Sequence, residues 1–230
     1  MQESTFTPTP TWYEDAERYW ESVPATVDGV LGGLAVVDKP DITGSMKFLS
    51  PFVATQQSKR QPSSSVPQIN TGVVCDCGAG IGRITKGLLS RVFDTVDLVE
   101  QDGHFLEQAK TSYLVDEIKA GKIGQFYHQG LQTFTPEPKR YDAIWCQWVL
   151  GHLTDDDFVD FFRRCQEGLT ESGMIFVKEN VTYASTLVDD EDSSVTREEN
   201  ELVKLLNAAG LTVVKKSVER GLIQGLLPVH

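Results

Sequence analysis

The sequence predicts an α/β fold in which a mainly parallel β-sheet is flanked by helices. Short apolar runs and amphipathic segments alternate from residue 72 onward, and such alternation is typical of strand–helix–strand units with parallel strands. The first apolar run, residues 73–78, leads into a glycine-rich turn and then into a helix. This order is found where ligands bind at the carboxyl ends of strands. Hydrophobic residues make up 40% of the 230-residue chain, which is enough for one large core.

The N-terminal part of the chain predicts a helical lid followed by a linker. Tyr13, Ala16 and Trp20 recur at helical spacing, whereas three glycines within five residues indicate a loop. A later segment is rich in Pro, Ser and Gln and has no apolar period, as expected of a surface loop. The predicted elements are a helix over 12–20, a loop over 24–33, a short helix over 42–53 and a surface loop over 55–71. We therefore divide the chain into a lid and linker, 1–71, and a core, 72–230.

The core contains six predicted strands and four predicted helices. Strands are short apolar runs bounded by turn residues, and helices have apolar residues every three or four positions. The strands are predicted over 73–78, 96–100, 123–127, 141–149, 174–179 and 211–219, and the helices over 81–91, 104–119, 155–169 and 197–209. Thr154 precedes three aspartates, which is typical of a helix N-cap with acidic residues in the first turn.

Charge and cysteine content argue against several classes of protein. The chain has 21 Lys and Arg against 33 Asp and Glu, a net charge of −12, which disfavours nucleic-acid binding and favours a basic partner. No apolar run approaches the roughly 18 residues of a membrane span, and the N-terminus has no signal-peptide pattern. No CxxC pair occurs, so we expect free buried thiols, a reducing compartment and no metal site. The cysteines are Cys75, Cys77, Cys146 and Cys165. We expect a cytoplasmic protein and leave nuclear access open.

The most informative short motif is the turn after the first strand. Residues 73–83 read VVCDCGAGIGR, in which a strand ends near an acidic residue and G-x-G-x-G precedes a helix. Glycines let the backbone approach a ligand there, and the helix N-terminus favours an anionic group. A dehydrogenase would show G-x-G-x-x-G, so this spacing favours a class I methyltransferase that uses S-adenosyl-L-methionine. Glu100, 22 residues after Gly78, is placed for ribose hydroxyls, but nicotinamide-binding folds have an acid at similar spacing.

Six longer motifs are specific enough to indicate a family. They are YW-x(3)-P-x-TVDG-x-LGG (19–33), DCGAGIGRITK (76–86), GLQ-x-FTPEP (130–138), YD-x-IW-x-QWV-x-GHLTD (141–155), KEN (178–180) and DDEDSSVTR (189–197). Together they resemble the protein alpha-N-terminal methyltransferases that modify Xaa-Pro-Lys N-termini, from about Tyr13 to Gly221. The first and last motifs are not general methyltransferase motifs. The resemblance implies a Rossmann-like class I methyltransferase fold whose N-terminal helical segment is a lid over the substrate channel.

The resemblance implies that S-adenosyl-L-methionine is the cofactor and S-adenosyl-L-homocysteine the product. Arg83 is expected to pair with the carboxylate of the cofactor, although such a residue is otherwise a solvent-facing helix arginine. Leu131 and Gln132 are expected at the adenine edge, and Gln147 near the methionine moiety. The implied cofactor residues are Gly78, Gly80, Arg83, Glu100, Leu131, Gln132 and Gln147.

The resemblance also implies the groups that meet the terminal amine of the substrate. Only a neutral amine has a lone pair, so the site must favour the free amine and accept its proton, for which a modest base suffices. Asn180 is expected to orient the amine, and Asp192 and His152 are candidate proton acceptors. Without the resemblance, His152 would be interpreted as a residue that caps the next helix. Trp20 and Trp148 are expected to flank the amine and its methylated forms, and the alternative is that both lie in the core.

The remaining substrate residues follow from the same resemblance. Asp189 and Ser194 are expected to receive a Lys or Arg at the third position, although an acidic run is more commonly a solvated loop. Leu31 and Gly32 are expected to form a wall for Pro at the second position. The implied substrate-binding residues are Trp20, Leu31, Gly32, Trp148, Asn180, Asp189, Asp192 and Ser194. Proteins with exposed Xaa-Pro-Lys N-termini, including ribosomal proteins, are the expected partners of a monomeric enzyme.

Two other functions stay open at this point. The chain could be a methyltransferase of a small amine or acid, or a non-catalytic peptide-binding module of the same fold. The C-terminus also departs from the family pattern, because the predicted strand over 211–219 is followed only by a short segment ending in GLLPVH. We therefore expect the strand that closes the sheet to be short or missing, which leaves a sheet edge without its usual partner.

Overall fold

A five-stranded parallel sheet forms the centre of the computed structural model, which describes residues 6–53, 68–219, 222 and 227–230. Its strands are β1 (Val73–Cys77), β2 (Thr95–Glu100), β3 (Ile123–His128), β4 (Tyr141–Gln147) and β5 (Leu169–Lys178). The strands are arranged in the order β3-β2-β1-β4-β5. Five of the six predicted strands are therefore present, and the predicted α/β fold is confirmed.

The central strand β1 pairs with β2 on one side and with β4 on the other, both in parallel. Cys77, its last residue, lies opposite Val99 and Cys146, so three strands end near one another at the same edge of the sheet. β1 and β4 are buried along almost their whole length, which explains why both are largely apolar runs. The strand order reverses at β1, and ligands of open parallel sheets bind in the crevice outside the carboxyl ends at such a reversal.

Helices cover both faces of the sheet. The described helices are α1 (Trp12–Ser22), α2 (Asp38–Leu49), α3 (83–92, π-helical over Thr85–Leu89), α4 (Gly103–Gln108, followed by a π-helical turn over Ala109–Tyr113), α5 (Val115–Lys119), α6 (Asp155–Gly168) and α7 (Glu199–Ala208). Leu49 and Leu88 pack with Leu98 in one apolar cluster, and Phe161 packs with Ile144 in a second cluster. None of the described helices is long and apolar enough to cross a bilayer.

Helix α6 shows how the local sequence produces a helix. The hydroxyl of Thr154 accepts a hydrogen bond from the backbone N–H of Asp157 at 3.2 Å, so the predicted N-cap is confirmed. Phe158, Phe161 and Cys165 follow at spacings of three and four residues, and all three side chains are fully buried. The helix therefore presents one apolar stripe to the core cluster that includes residues of β4.

Both predicted helices of the N-terminal segment are present. Helix α1 covers the predicted range and continues to Ser22. Helix α2 begins at Asp38, four residues before the prediction, because Pro40 lies in its first turn, where the fixed φ and the missing N–H of proline are tolerated. The glycine-rich loop between the two helices contains a 3₁₀ turn over Gly29–Leu31.

Most of the predicted surface loop over 55–71 lies outside the described residues. Its described end is not a surface loop, because Ile69 is fully buried and forms a β-bridge with Val53. Burial of an isoleucine side chain is more favourable than its exposure to solvent, which explains why this end of the segment packs against the core. The division into a lid and linker, 1–71, and a core, 72–230, stays a prediction.

The predicted sixth strand over 211–219 is wrong. These residues form no regular strand, and Val213 and Val214 are exposed. A strand forms where a neighbouring strand satisfies its backbone and buries one face. The described C-terminal residues offer few backbone partners and little burial, since their pairing is an isolated bridge between Asn180 and Val229 just beyond β5. The expectation that the closing strand is short or missing stays a prediction, because residues 220–221 and 223–226 lie outside the described residues.

A short hairpin occupies the acidic segment that follows β5. Its strands are β6 (Leu187–Asp189) and β7 (Ser194–Thr196), which pair in antiparallel fashion with Asp189 opposite Ser194. The carboxylate of Asp189 accepts a hydrogen bond from the backbone N–H of Glu191, and Ser193 has a positive φ of 51°. These features form a tight turn. Asp189, Asp190 and Glu191 are exposed, so this acidic run is solvated, as the alternative of a solvated loop expects, and its part in substrate binding stays a prediction.

We predict that Thr154→Ala lowers the free energy of unfolding by about 1 kcal/mol, because the first turn of α6 loses its side-chain cap. Urea denaturation followed by circular dichroism measures this change. Thr154→Ser, which retains the hydroxyl, is the control and should lose far less. An alanine variant as stable as the wild type would show that the cap does not stabilise α6.

Candidate active site

A cleft opens above the carboxyl ends of β1, β2 and β4. All seven residues that the sequence analysis assigned to the cofactor line this cleft. They are Gly78, Gly80, Arg83, Glu100, Leu131, Gln132 and Gln147. Trp20, Trp148 and His152 line the same cleft. The structure therefore brings together residues from helix α1, the glycine turn and three strand ends, as the strand order requires.

The glycine turn after β1 forms the floor of the cleft. Gly78 has a φ of +71° and Gly80 a φ of +55°, in the left-handed region that favours glycine. A Cβ atom on Gly78 would lie 2.4 Å from the side chain of Val149. The backbone N–H groups of Gly78 and Ala79 donate to the carbonyl oxygen of Val99, which ties the turn to β2. The turn thus presents bare backbone to the cleft.

Glu100 ends β2 beside this turn, and its carboxylate is buried. One carboxylate oxygen accepts a hydrogen bond from the N–H of Gly80 at 2.8 Å, and the other accepts from the N–H of Asp102 at 2.9 Å. Burial raises the pKa of Glu100 to about 6, although these hydrogen bonds oppose the shift. Each oxygen has a further lone pair, so an ionised Glu100 can also accept two hydroxyl groups from a ligand.

Arg83 and Gln147 are both held by an aspartate of helix α2. Nη1 of Arg83 donates to Asp41 at 2.7 Å and to Asp38 at 3.0 Å. Nε2 of Gln147 lies 2.9 Å from both carboxylate oxygens of Asp41. The oxygen of the Gln147 amide accepts from the indole N–H of Trp145 at 3.1 Å, which fixes the orientation of the amide. The alternative that Arg83 faces solvent is wrong, because its side chain is buried.

His152 lies in a 3₁₀ turn, Leu150–His152, and its ring has a defined tautomer. The indole N–H of Trp20 lies 3.1 Å from Nε2 of His152, and Nδ1 lies 3.0 Å from the carbonyl oxygen of Ser193. An indole N–H only donates, so Nε2 accepts and Nδ1 bears the hydrogen. Burial lowers the pKa of His152, and the nearby carboxylate of Asp192 partly opposes this shift. His152 is therefore neutral near pH 7, and it does not cap α6.

Helix α1 is attached to the loop around His152 by further polar contacts. The indole N–H of Trp12 donates to the carbonyl oxygen of His152 at 2.7 Å. The hydroxyl of Tyr13 donates to Asp157 and accepts from the backbone N–H of Thr154. Helix α1 is thus fixed to the wall of the cleft by hydrogen bonds as well as by apolar contacts.

Trp148 follows β4 in a strained backbone conformation. Its φ is +53°, which is uncommon for a bulky residue. Its indole N–H is buried and has no hydrogen-bond partner among the described residues. The guanidinium carbon of Arg83 lies 5.4 Å from the centre of its ring, a cation–π contact. The alternative that both Trp20 and Trp148 are core residues is wrong, because both line the cleft.

The hairpin between β6 and β7 brings its acidic turn close to His152 and to α1. The carbonyl of Ser193 in this turn is the acceptor for His152. One carboxylate oxygen of Asp192 is buried and has no hydrogen-bond partner within the described residues. Burial raises the pKa of Tyr19 on α1, and the carboxylates of Asp192 and Asp189 add to the shift. The turn therefore adds negative charge beside His152 and Tyr19, at one side of the cleft.

Several predicted substrate residues do not line the cleft. They are Leu31, Gly32, Asn180, Asp189, Asp192 and Ser194. Asn180 and Asp189 are exposed, and Leu31 is buried while its neighbour Val30 lines the cleft instead. These residues lie on the lid loop, on the extension of β5 and on the hairpin. Their roles stay predictions.

Two groups in this region were missed by the sequence analysis. Asp38 and Asp41 resemble ordinary acidic residues in the first turn of a helix, where they complement the helix dipole.

The second group is the carboxylate of Glu179, one residue beyond β5. It accepts from the backbone N–H groups of Val149 and Leu150, and burial raises the pKa of Glu179 to about 7. The KEN motif contains Glu179, which is the one signal that could have identified it.

Comparison with known proteins identifies the family. Residues 9–230 match the family described as AdoMet dependent proline di-methyltransferase. The chain belongs to this family. A Danio rerio protein named N-terminal Xaa-Pro-Lys N-methyltransferase 1 is 46% identical over 220 residues, which cover 96% of this chain and 93% of that protein. A Dictyostelium discoideum protein named alpha N-terminal protein methyltransferase 1 is 42% identical, and the match covers 95% of this chain and 77% of that protein.

Solved structures agree with this membership. A SAM-dependent methyltransferase from Leishmania major superposes with a TM-score of 0.83 at 42% identity, and the match covers 95% of this chain and 80% of that one. A Haemonchus contortus phosphoethanolamine N-methyltransferase superposes with a TM-score of 0.64 at 19% identity, which supports the fold alone. The protein is a methyltransferase of the class I fold, and its cofactor is S-adenosyl-L-methionine.

The cleft residues fit this cofactor. The glycine turn leaves space where a Cβ atom would intrude, the buried Glu100 has spare acceptors for two hydroxyls, and Arg83 offers a cation to a carboxylate. The residues that would hold the cofactor are Glu100 at the ribose and Arg83 at the amino-acid end, and these two roles stay predictions.

We predict that affinity for S-adenosyl-L-homocysteine falls about tenfold between pH 7.5 and pH 5. The pKa of Glu100 is about 6, so roughly a tenth of the group is ionised at pH 5, and the protonated form has fewer acceptors for ribose hydroxyls. Isothermal titration calorimetry at both pH values measures this change. The control is Glu100→Gln, which should bind more weakly at pH 7.5 and lose most of the pH dependence. Equal pH dependence in both proteins would contradict the assignment.

Proposed function

We propose that the protein transfers one to three methyl groups from S-adenosyl-L-methionine to the α-amino group of proteins that begin Xaa-Pro-Lys once Met is removed. The names of the relatives support this substrate. The observation that most favours it is the acidic hairpin, whose turn contacts His152 at the cleft and offers Asp192 with an unpartnered carboxylate oxygen. A basic peptide with a protonated amine is the complementary ligand.

The protein side of the reaction consists of orientation and proton removal. When bound, the cofactor supplies a methyl group attached to a sulfonium sulfur. This sulfur is a good leaving group, because it departs as a neutral thioether. Asp192 accepts the proton of the amine, either directly or through water. His152 is less suited to that role, because Nε2 already accepts from Trp20 and protonation would break this hydrogen bond. His152 instead orders the turn through Ser193 and excludes water together with Trp20.

Aromatic rings explain how further methylations remain possible. Each methyl group makes the amine larger and less able to hydrogen-bond, but the cation is still attracted to an aromatic face. Trp20 and Trp148 border the cleft, and the ring of Trp20 stands edge-on to His152 at 5.9 Å between centroids. We place the amine between these two rings, with the amide of Asn180 as its orienting group.

The rest of the peptide leaves the cleft along the lid loop and the hairpin. Leu31 and Gly32 border the second-position Pro in this proposal, and Asp189 with Ser194 receives the third-position Lys or Arg. Asp189 and Ser194 are direct neighbours across the hairpin, which gives a carboxylate and a hydroxyl to one ammonium group. We propose ribosomal proteins as substrates, a monomeric enzyme and a cytoplasmic location.

Mass spectrometry of a peptide panel varied at positions one to three tests the proposed function. Mass increases of one to three methyl units on Xaa-Pro-Lys peptides, and none on peptides with the α-amine blocked, are expected. A methyltransferase of small molecules would leave the whole panel unchanged. Peptide binding without any mass change would indicate a non-catalytic module.

We predict that Asp192→Asn lowers the turnover number at least about 100-fold, because the amide has the same shape but does not accept the proton. The cofactor affinity should stay within about twofold of the wild type, since Asp192 does not line the cofactor cleft. Single-turnover methylation of an Xaa-Pro-Lys peptide and calorimetry with S-adenosyl-L-homocysteine measure the two quantities. Unchanged turnover would remove Asp192 from its role.

We predict that Asp189→Lys weakens binding of a peptide with Lys at position three by about fivefold at low salt. Asp189 is exposed, so the effect stays modest and falls as salt is added. The matched control is Glu171→Lys, the same charge change at an exposed site near the opposite end of the sheet. Fluorescence anisotropy of a labelled peptide gives the affinities. Equal losses in the two variants would mean that only net charge matters.

A further inference from the structure

A fully buried carboxylate lies where helix α2 meets the cofactor cleft. Asp41 has no exposed surface, and its carboxylate contacts three side chains of the core domain. Nη1 of Arg83 lies at 2.7 Å, Nε2 of Gln147 at 2.9 Å and Nζ of Lys178 at 2.6 Å. Two of these partners, Arg83 and Gln147, line the cleft. One residue of the N-terminal segment therefore holds two residues of the cofactor site.

Two side chains of opposite charge contact the buried carboxylate of Asp41. Arg83 and Lys178 are both buried cations, and each has Asp41 as a partner. Lys178 also pairs with Glu219 at 2.8 Å, and Arg83 pairs with Asp38, whose side chain is 35% exposed. A buried charge is tolerated when opposite charges and hydrogen bonds compensate it. Asp41 is the compensating group that both buried cations share.

The geometry leaves part of Arg83 available for a ligand. Both hydrogen bonds of its guanidinium within the described residues come from Nη1, which points to α2. The guanidinium has five N–H donors in a rigid fork, so the remaining donors serve the cleft that Arg83 lines. The amide of Gln147 is fixed between Asp41 and Trp145. Asp41 thus determines the direction of both groups without itself lining the cleft.

We propose that Asp41 is a positioning residue for the amino-acid end of the cofactor. By holding Nη1 of Arg83 and the amide of Gln147, it presents a preset guanidinium to the carboxylate of S-adenosyl-L-methionine. A preset group binds more tightly because no side-chain freedom is lost on binding. The proposal rests on the assignment of Arg83 to the cofactor carboxylate. It makes α2 part of the cofactor site as well as part of the lid.

The opposite effect of the same contacts is also testable. If Asp41 instead competed with the cofactor carboxylate for Arg83, removing its charge would strengthen binding. Two ligands separate these cases. S-adenosyl-L-homocysteine has the amino-acid end, whereas 5′-methylthioadenosine retains the adenosine and the thioether but lacks the carboxylate. A positioning effect through Arg83 applies to the first ligand alone.

The test uses isothermal titration calorimetry of both ligands with the wild type and with Asp41→Asn. We expect the Kd of S-adenosyl-L-homocysteine to rise at least about tenfold in the variant and that of 5′-methylthioadenosine to stay within about twofold. Asp38→Asn is the matched control, because Asp38 binds the same nitrogen of Arg83 but is partly exposed; its effect on S-adenosyl-L-homocysteine should be below about threefold.

Stability does not confound this comparison, because both ligands are titrated into the same preparation. An unfolded fraction lowers the apparent number of sites for both ligands and leaves the ratio of their Kd values unchanged. If Asp41→Asn does not fold, Asp41→Glu takes its place: it retains the buried charge but displaces it by one methylene. The same selective loss for S-adenosyl-L-homocysteine is expected, to a smaller extent.

Three results would overturn the proposal. They are a tighter complex with S-adenosyl-L-homocysteine in Asp41→Asn, an equal loss for both ligands, and no loss for either ligand. A wild-type protein that binds the two ligands equally well would overturn the assignment of Arg83 itself. A wild-type preference for S-adenosyl-L-homocysteine that persists fully in the variant would overturn the role of Asp41 alone.

Discussion

Hydrogen bonding of β1 to β2 on one side and to β4 on the other brings three strand ends to one edge of the sheet. The chain must leave β1 between its two neighbours, so Gly78 turns with a positive φ beneath Val149. Glu100 and Gln147 end the neighbouring strands and therefore face the same cleft. The cofactor site is a consequence of this strand order, because residues distant in sequence meet only where parallel strands end together.

Polar contacts, in addition to apolar packing, attach the two N-terminal helices to this edge. Helix α1 donates from Trp12 and Trp20 to the loop and ring of His152, and α2 inserts Asp41 between Arg83 and Lys178. A buried hydrogen bond costs more when broken than it contributes on average when formed, because the remaining partner is left unsatisfied. Such contacts therefore specify one position of the two N-terminal helices, whereas apolar packing alone would tolerate several.

Three buried carboxylates at the strand ends have raised pKa values. Burial raises those of Asp76 and Glu100 to about 6 and that of Glu179 to about 7. Each carboxylate accepts hydrogen bonds from neighbouring groups: the hydroxyl of Thr85 for Asp76, and backbone N–H groups for Glu100 and Glu179. Because the folded pKa values exceed the ordinary values of 3.8 to 4.5, the unfolded chain loses these protons first, and the three groups lower the stability progressively as the pH rises from about 4 to about 7. The hydrogen bonds to the carboxylates offset this cost and arrange the cleft in advance.

The sequence by itself determined the α/β fold, five strands, the glycine turn and seven residues that line one cleft, because these depend on local periodicity and on motifs that are contiguous in the chain. The tertiary structure decided what depends on long-range neighbours. Residues 211–219 form no strand because none of the strands in the described part of the chain pairs with them, and the acidic run 187–196 becomes a hairpin beside His152. Asp41 has no sequence signal, since its role arises from contacts with residues 42, 106 and 137 positions away. Only the packed chain brings those partners within hydrogen-bond distance.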